Sequence, residues 1–396
     1  MFQSIERRPP DPILGLSAAY KNDPNPSKVD LGVGVYKDEA GNCPVMKAIK
    51  TAEQKLWETE DSKSYIAQAG PELYLQHTAG LLFGNTHPVL KDKRASVVLA
   101  PGGSGSLRVA AEFVTRNAPN TRIFVSDPTW NNHIPLLGSA GLKLELYPYY
   151  DYASHRIDFD RMLAKLGEAK KGDLVLLHGC CHNPCGADLN REQWQAVADA
   201  AQRQGFTPFV DLAYQGLGDG LEEDVWGLRH LAEKLPEVIV ASSYSKNFGL
   251  YRERTGAVTI VAGNASAAEA AGTQVVGTAR EMYSVPPAHG AALVALVLDD
   301  AALRQEWDAE LTEMRDRING LRAALVAKLQ DKGVERDFSF IQNEKGMFSF
   351  LGLTPEQVKK LVNDYSIYLV GSSRINVAGI NQSNLDYLAD SIVAVL

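Results

Sequence analysis

The sequence predicts an α/β fold built around a mainly parallel sheet, and two observations lead to that prediction. Seven short apolar runs recur between about residues 95 and 263, and most of them are continuous rather than alternating. Continuous apolar runs are typical of strands that are buried on both faces of a parallel sheet. Helix-like segments lie between most of these runs, as the crossover connections of parallel strands require.

Each run is interpreted as one strand of the sheet. In chain order the runs are A-S-V-V-L-A, R-I-F-V-S-D-P, L-K-L-E-L-Y, D-L-V-L-L-H, T-P-F-V-D-L-A, E-V-I-V-A-S-S and G-A-V-T-I-V-A. The clearest helix between them covers residues 191–204, where apolar side chains fall on one face and Gly205 is expected to end the helix. A long, charged helical pattern follows beyond about residue 300 and could bridge two domains.

The length of 396 residues exceeds what one simple core usually holds, which predicts more than one domain. We expect an N-terminal arm and part of a small domain at 1–40, a large domain at 41–300, and a bridging helix with a smaller α+β domain at 301–396. The first 30 or so residues are rich in Pro and Asp, which favours an extended arm over a packed element.

Composition argues against several classes of partner. Hydrophobic residues make up 45% of the chain, charged residues 22%, and the formal net charge is -8, which disfavours a broad basic face for nucleic acid or anionic membrane. The start lacks an apolar signal segment, and the apolar run at 290–298 is far too short to span a membrane. Four cysteines in so long a chain indicate thiols. We therefore expect a cytoplasmic protein without nucleic-acid or membrane partners.

The first strand ends in the glycine-rich turn G-G-S-G-S-L-R, which opens a helix. Ligands of open α/β sheets bind beyond the carboxyl ends of the strands, and the exposed N–H groups of such a turn can hold a phosphate. The sequence lacks the Gly-Lys-Ser/Thr of a nucleotide P-loop and the third glycine of a dinucleotide fold, so ATP and NAD are disfavoured. A plain flexible turn remains an alternative.

Two further strand ends carry aromatic and acidic side chains. Trp130 follows R-I-F-V-S-D-P, where it could stack on a flat ligand or pack at a domain boundary. Asp211 ends T-P-F-V-D, and Tyr214 lies three residues later. A carboxylate at the end of an apolar strand requires a cationic or hydrogen-bonding partner, although it could also cap a neighbouring helix.

The segment D-L-V-L-L-H-G-C-C-H-N-P-C-G raises zinc as an alternative, because it holds Cys180, Cys181, His182 and Cys185. Successive strand residues face opposite sides, so adjacent Cys180 and Cys181 are not expected to share one ion. The sequence has no second cysteine pair elsewhere. We therefore expect no metal, and interpret His178 and Asn183 as the ligand-facing residues of this strand end.

The stretch S-S-Y-S-K-N-F-G places Lys246 where a buried strand has just ended, with Ser243 before it and Arg254 after it. Lysine is rarely buried unless it is paired or deprotonated. Together the strand ends supply an anion site, an aromatic ring, a carboxylate, Asn and Tyr donors, and a lysine. Pyridoxal 5'-phosphate, a planar aldehyde with a phosphate and a pyridine nitrogen, would use all of these groups.

The sequence resembles the class I pyridoxal-phosphate aminotransferases, specifically the bacterial aspartate/aromatic amino acid branch, over essentially its whole length. The matching motifs are L-G-V-G-V-Y-K-D, P-G-G-S-G-S-L-R, D-P-T-W-N-N-H, H-N-P-C-G, D-L-A-Y-Q-G-L-G-D-G, S-x-S-K-N-F-G-L-Y-x-E-R-x-G, P-P-A-H-G, K-G-M-F-S-F and S-R-I-N-V-A-G. The resemblance implies fold type I of the pyridoxal-phosphate-dependent transferases, in which a large domain with a seven-stranded sheet is joined to a smaller α+β domain. It also implies a homodimer with shared active sites.

The resemblance implies a role for each matching residue around the cofactor. Lys246 would bond covalently to the cofactor aldehyde, Asp211 would pair with the ring nitrogen, and Tyr214 would donate to the phenolate oxygen. The other implied cofactor contacts are Asn183 at the phenolate oxygen, Trp130 on the ring face, His178 behind Asp211, Gly103, Ser104, Ser243 and Arg254 at the phosphate, and Tyr65 from a second subunit.

The resemblance also implies how substrates bind. Arg374 would bind the α-carboxylate, and Arg280 would bind a side-chain carboxylate across the dimer interface. The remaining implied substrate contacts are Gly34, Trp130, Asn183 and Phe348.

Three positions depart from the commonest family pattern. Cys185 and Ser104 stand where Thr is usual, and Val285 stands where Asn is common. The changes at Ser104 and Val285 loosen polar packing near the substrate, while Arg280 is retained. We therefore expect dual specificity, for aspartate or glutamate with 2-oxoglutarate and also for phenylalanine, tyrosine or tryptophan. The alternatives are a strictly aspartate-selective aminotransferase, a pyridoxal-phosphate lyase or decarboxylase, and a non-catalytic cofactor-binding regulator.

Overall fold

The computed structural model describes residues 2–7 and 12–396, and it confirms the α/β class. The strands of the described residues are β1 (Val29–Asp30), β2 (Ala95–Pro101), β3 (Arg122–Asp127), β4 (Lys143–Pro148), β5 (Tyr150–Asp151), β6 (Arg156–Ile157), β7 (Leu174–His178), β8 (Thr207–Leu212), β9 (Val238–Ser243), β10 (Thr255–Val261), β11 (Phe348–Phe350), β12 (Ile367–Tyr368) and β13 (Arg374–Asn376). All seven predicted runs are strands.

Helices connect most of these strands. They are α1 (Pro12–Asn22), α2 (Lys47–Thr59), α3 (Glu72–Phe83), α4 (Pro88–Lys91), α5 (Gly102–Asn117), α6 (His133–Ser139), α7 (Phe159–Leu166), α8 (Arg191–Gln204), α9 (Trp226–Lys234), α10 (Ala265–Tyr283), α11 (His289–Asp299), α12 (Ala301–Asp331), α13 (Phe340–Asn343), α14 (Pro355–Tyr365) and α15 (Gln382–Val395). Single 3₁₀ turns occur at Phe2–Ser4 and Val377–Gly379. No helix of the described segments combines the length and the hydropathy needed to cross a bilayer.

The main sheet has seven strands in the order β2-β10-β9-β8-β7-β3-β4. Strand β10 runs antiparallel to β2 and β9, and the other neighbouring pairs are parallel. Every residue of β9 and β10 is buried, which explains why these strands are continuous apolar runs in the sequence. Because β3, β7, β8 and β9 run in the same direction, their carboxyl ends lie at one edge of the sheet.

The chain divides into two compact units. The first unit consists of the described residues up to Cys43 together with Arg317–Leu396, and the second unit consists of Pro44–Asp316. The division lies inside α12, whereas the predicted boundary at 300/301 lies at the start of that helix. The predicted domain limits at 1–40, 41–300 and 301–396 stay predictions.

The second unit contains the seven-stranded sheet, whose apolar core packs side chains such as Leu107 and Val125 against Phe209. The predicted helix at 191–204 is α8. The Asn190 and Gln193 side chains cap its start reciprocally, and Gly205 ends it at φ +78°, in the left-handed region that glycine adopts without strain.

The first unit holds two small sheets. Strands β1 and β12 form a parallel pair, and β11 and β13 form an antiparallel pair in which Phe350 lies opposite Arg374. The expectation of an extended arm over the first 30 or so residues is wrong at Pro12–Asn22, which forms α1. A proline fits in the first turn of a helix, and the following residues 15–20 contain good helix formers. The Pro and Asp content of the segment was therefore a poor indicator of its structure. Residues 1 and 8–11, which the same prediction covers, lie outside the described residues.

Candidate active site

Asp211 lies near the end of β8, directly beside His178 of β7 in the sheet register. Its side chain is 11% exposed, and His133 Nε2 lies 2.9 Å from Asp211 Oδ2. Burial alone would raise the pKa of this carboxyl, but the hydrogen bond from His133 and nearby cationic groups such as Lys246 hold the pKa below its ordinary value. Asp211 is therefore ionised at neutral pH and can pair with a protonated ring nitrogen.

The support of Asp211 was predicted to come from His178, but the direct hydrogen bond comes from His133. His178 accepts at Nδ1 from the Asn183 main-chain N–H (3.4 Å), and its Nε2 lies 3.2 Å from Thr129 Oγ1, which in turn lies 2.7 Å from His133 Nδ1. Burial lowers the pKa of His178 to about 3, so this ring is neutral. Because the Asn183 N–H donates to Nδ1 of His178, the proton of this neutral ring is on Nε2 and is donated to Thr129 Oγ1. The Thr129 hydroxyl then donates to Nδ1 of His133, and His133 donates its Nε2 proton to Asp211.

Sequence reasoning missed His133 although it lies in the motif D-P-T-W-N-N-H. Its position at the start of α6 rather than directly after a strand gave no signal. His133 also contacts the predicted site residue Trp130, because their ring centroids lie 5.3 Å apart at an angle of 87°.

Lys246 follows β9, and its Nζ lies 5.1 Å from the centre of the Tyr214 ring. Removal from water lowers the pKa of Lys246 to about 8, while the Asp211 carboxylate opposes this shift and the Arg254 guanidinium adds to it. The structure thus brings Lys246, Asp211 and Tyr214 together. A lysine with this pKa is a far better nucleophile near neutral pH than an ordinary surface lysine.

The glycine-rich turn is a candidate anion site at the start of α5. A Cβ added to Gly102, whose φ is +67°, would lie 2.7 Å from Arg254 Nη2, and one added to Gly103 would lie 3.3 Å from Ser243 Cβ. Arg254 Nη1 lies 3.4 Å from Ser245 Oγ, which accepts from Ser243 Oγ at 3.1 Å. The absence of side chains at these glycines therefore brings a guanidinium and two hydroxyls close to a helix N-terminus, and these are groups that can bind a phosphate.

Two further predicted cofactor contacts lie in the same unit. The amide oxygen of Asn183 is buried and has no hydrogen-bond partner among the described residues. Because a flip of the amide exchanges its oxygen and its NH2 group, this position can offer a donor to a ligand. Ser104 lies in the first turn of α5, beside the anion site. The donor set fits pyridoxal phosphate, because it offers an anion site, an ionised carboxylate, a polar amide and a lysine in one unit.

Tyr65 and Arg280 are not brought to this set within the chain. Tyr65 is 91% exposed, and Arg280 is exposed in the last turn of α10. Their predicted roles require a second subunit.

Arg374, Phe348 and Gly34 lie together in the first unit. Arg374 on β13 is buried, and its Nη2 donates to the carbonyl of Gly32 at 2.7 Å. Its guanidinium carbon lies 4.5 Å from the centre of the Phe348 ring. A Cβ added to Gly34 would lie 2.7 Å from Phe348 Cζ, so only glycine allows this close approach.

The argument that adjacent Cys180 and Cys181 face opposite sides is wrong. Both sulfur atoms and a carboxylate oxygen of Asp224 lie within 4.8 Å of one another. These cysteines lie beyond the end of β7, and Cys181 has a φ of +51°, so strand alternation no longer applies.

The Cys180 thiol and the Asp224 carboxylate of this cluster already have hydrogen-bond partners within the protein. The hydrogen bond with Cys181, followed by burial, raises the pKa of the Cys180 thiol. The Asp224 carboxylate accepts main-chain N–H donors from Gly216, Gly218, Asp219 and Gly220. The third cysteine of the motif, Cys185, lies apart, with its Sγ 3.1 Å from His182 Nδ1. The absence of a metal stays a prediction.

Comparisons with known proteins agree with this geometry. The profile of the family described as aminotransferase class I and II matches residues 26–392. The chain is 49% identical to an aspartate aminotransferase of Haemophilus influenzae over 396 residues, covering 100% of both chains. It is 47% identical to an aromatic-amino-acid aminotransferase of Pseudomonas aeruginosa, covering 100% of this chain and 98% of that one.

A solved structure extends the likeness to the fold and the cofactor. An aromatic-amino-acid aminotransferase from Burkholderia pseudomallei, covalently bound to pyridoxal phosphate, superposes with a TM-score of 0.98 at 42% identity, covering 100% of this chain and 99% of that one. The fold is thus that of the pyridoxal-phosphate-dependent aminotransferases. The chain belongs to the class I and II aminotransferases and is a pyridoxal-phosphate-dependent transaminase.

Proposed function

We propose that this aminotransferase acts on both dicarboxylic and aromatic L-amino acids, with 2-oxo acids such as 2-oxoglutarate as acceptors, in a ping-pong reaction. The observation that carries the catalytic part is the set of Lys246, Asp211 and His133, in which an anionic carboxylate and a lysine of lowered pKa lie in one site. The dual specificity is supported by relatives of both names at similar identity. A strictly aspartate-selective enzyme is the second candidate, because Arg280 is retained.

The cofactor, when bound, supplies an aldehyde that takes up the amino group and a ring that accepts electrons. Asp211, kept anionic by the proton on His133 Nε2, would hold a proton on the ring nitrogen. Asn183 and Tyr214 would donate to the phenolate oxygen. Ser243, Arg254 and the N-terminus of α5 would bind the phosphate, and Trp130 would cover the ring face.

Lys246 would act as both the attachment point and the proton carrier. As a free amine, the Lys246 Nζ would take the proton that leaves the substrate Cα and hold it for return. The pKa of about 8 suits this role, because a general base works best when its pKa lies near the operating pH.

We propose that Arg374 binds the α-carboxylate through its two-pronged guanidinium. Binding the carboxylate near the ring plane would leave the Cα–H bond perpendicular to it, which favours proton loss over decarboxylation. Arg280 from a second subunit would bind the side-chain carboxylate of aspartate or glutamate. With an aromatic substrate, Arg280 must turn away, since an unpaired arginine against a ring is unfavourable.

A panel of amino donors assayed against 2-oxoglutarate tests the specificity. We expect aspartate and phenylalanine to have kcat/KM values of the same order, and Arg280→Leu to lower the value for aspartate far more than the value for phenylalanine. Activity with aspartate alone would favour the second candidate, and equal losses on both donors would remove the proposed role of Arg280.

We also propose a homodimer with shared active sites. Support comes from the exposure of Tyr65 at 91%, because the resemblance assigns this side chain to the cofactor site of a second subunit, and Trp57 is another aromatic side chain exposed at 82%. Two defective variants provide the test. Lys246→Ala and Arg280→Leu chains, unfolded and refolded together, should regain about a quarter of the wild-type aspartate activity, because mixed dimers contain one intact site. Sites confined to one chain would give no recovery.

A cytoplasmic location is likewise proposed, and it is supported by four cysteines that carry thiols rather than disulfides. Cell fractionation would check it.

A further inference from the structure

Arg322, on the part of α12 that belongs to the first unit, is completely buried. Arginine is almost never buried without partners, because its charge cannot be removed by deprotonation. Its guanidinium donates mainly to main-chain carbonyls, at Phe348 O (2.6 Å), Gly346 O (2.7 Å), Ile341 O (2.9 Å) and Lys345 O (3.2 Å). The Glu344 carboxylate, 3.6 Å from Nη1, supplies the countercharge.

These carbonyls belong to one short segment, residues 341–348, which leads from α13 into β11. Without secondary structure of its own between residues 344 and 347, the segment depends on Arg322 for several of its hydrogen bonds. The shortest of them is to Phe348, the first residue of β11. Arg322 therefore binds the main chain at the residue where β11 begins.

The position of Phe348 in turn determines the surroundings of Arg374. The Phe348 ring lies 4.5 Å from the guanidinium carbon of Arg374 and in close contact with Gly34. Strand β11 also pairs with β13, which carries Arg374. A shift of the Phe348 main chain would thus move both the ring against which Arg374 packs and the strand on which it stands.

We infer that Arg322 is a positioning residue for substrate recognition, which acts through the main chain of Phe348 to orient the Arg374 guanidinium toward the substrate α-carboxylate. This inference rests on the proposed role of Arg374. Neither lysine nor methionine can replace it, because only a guanidinium offers donors in several directions from one plane. The ligand concerned is the carboxylate that every amino acid and 2-oxo acid substrate shares.

The test compares Arg322→Met with a matched control, Arg94→Met. Arg94 also donates to main-chain carbonyls, at Ala262, Leu235 and Pro236, but it lies in the second unit and outside the catalytic set. Both substitutions remove a guanidinium from several carbonyls. For each cofactor-loaded variant we would measure the KM and kcat for aspartate and phenylalanine, the Kd of the unreactive dicarboxylate succinate from the cofactor absorbance, the Kd of the cofactor, and the Tm.

Arg322→Met should raise the KM of both donors and the Kd of succinate roughly ten- to hundred-fold, because a small displacement of a binding group is enough for such a loss. The Kd of the cofactor should change less than about two-fold, within the spread that context alone produces for distant changes. Arg94→Met should lower the Tm but leave all the carboxylate affinities near the wild-type values. Equal effects of the two variants on KM, or a fall in Tm without any change in KM for Arg322→Met, would overturn the inference.

Two more variants keep the test decisive if Arg322→Met does not fold. Arg322→Lys keeps the charge but not the geometry, and Glu344→Gln removes only the countercharge, so both should raise KM, with the larger effect for lysine. Unchanged KM values in both variants would refute the inference. Arg374→Met serves as the reference for the proposed function. If that variant leaves the KM of aspartate and phenylalanine unchanged, the role of Arg374 fails, and the inference about Arg322 fails with it.

Discussion

The functional side chains of the two units are held in position by different kinds of contact. In the second unit, Asp211 lies near the end of β8 and Lys246 lies three residues after the end of β9, and side chains such as His133 bind other side chains. In the first unit, Arg322 and Arg374 bind main-chain carbonyls of loops and strand ends. Parallel strands bring their carboxyl ends to one edge, so the sheet alone places the reactive side chains near one another. Binding an arginine to main-chain carbonyls requires, in addition, that the loops adopt one conformation.

Substitutions in the two regions should therefore have different kinetic effects. Loss of a group at the strand ends should remove chemistry while substrate affinity persists. Loss of packing around Arg374 should weaken carboxylate binding while the chemistry persists. The predictions below test this separation, beginning with the largest expected effect.

Replacement of Lys246 with Ala should lower kcat about 10⁵-fold or more, because the nucleophile and the proton carrier are one side chain. Equilibrium dialysis should still detect cofactor binding through the phosphate site of Ser243 and Arg254. A kcat within ten-fold of wild type would show that Lys246 is not the reacting amine and would remove the contrast between the two regions.

Replacement of Asp211 with Asn should lower kcat roughly 10²- to 10⁴-fold, since losing one partner of a buried ion pair typically removes about 3–5 kcal/mol of stabilisation. The KM of substrates should change much less. Steady-state kinetics with aspartate and phenylalanine would check this, with Asp211→Glu as a control that retains the charge. A large rise in KM with unchanged kcat would contradict the assignment of Asp211 to chemistry.

Replacement of Gly34 with Ala should act in the opposite way. The added Cβ would lie 2.7 Å from Phe348 Cζ, so the ring must move away from its place beside Arg374. Overpacking of this kind typically has an effect of about 1–3 kcal/mol, which corresponds to a rise in KM of roughly ten-fold, with kcat nearly unchanged. Gly371→Ala, where an added Cβ meets nothing within 4 Å, is the matched control in the same unit. Equal kinetics for both variants would contradict the prediction.

The smallest expected effect is a pH dependence of the cofactor-free protein. The pKa of Lys246 is lowered from 10.5 to about 8, so between these pH values the unfolded chain binds the proton and the folded chain does not. Stability should therefore rise with pH across this window relative to Lys246→Met, which has no such proton. Denaturant unfolding of both proteins at pH 7, 8, 9 and 10 would measure it, and a constant difference would show that the lysine titrates at its ordinary pKa.

The same titration should control reactivity. Labelling of Lys246 by a small aldehyde, trapped by reduction and quantified by mass spectrometry, should rise with a midpoint near pH 8. Asp211→Asn should move the midpoint lower, because the carboxylate favours the charged lysine. A midpoint above pH 10 in the wild type would contradict the lowered pKa.

Much of the cofactor site could be predicted because it depends on local patterns. The seven strands are apolar runs, and Asp211, Asn183 and Lys246 are polar residues placed where those runs end. The glycine-rich turn at Gly102 and Gly103 could also be recognised from the sequence. The close approach of Arg254 to Gly102 and of Ser243 to Gly103 explains why side chains are absent there. Each of these features depends on a few consecutive residues, and the parallel arrangement of the strands is enough to bring them together.

The remaining features could not be predicted in this way. His133 reaches Asp211 from 78 positions earlier in the chain, and Arg322 reaches Phe348 from 26 positions earlier. The left-handed conformation of Cys181, which brings two adjacent thiols to one side, also has no signal in a strand pattern. The helix α1 was hidden by the prolines around it.

The α/β class, the strands and the residue types that carry the chemistry follow from the sequence alone, because burial periodicity and strand ends are properties of neighbouring residues. Which histidine donates to Asp211, and which arginine binds the carbonyl of Phe348, can be read only from the folded chain. A hydrogen bond forms only when its donor and acceptor lie within a few tenths of an ångström of the right distance, and for groups far apart in the chain this distance is set by the packing of the whole core.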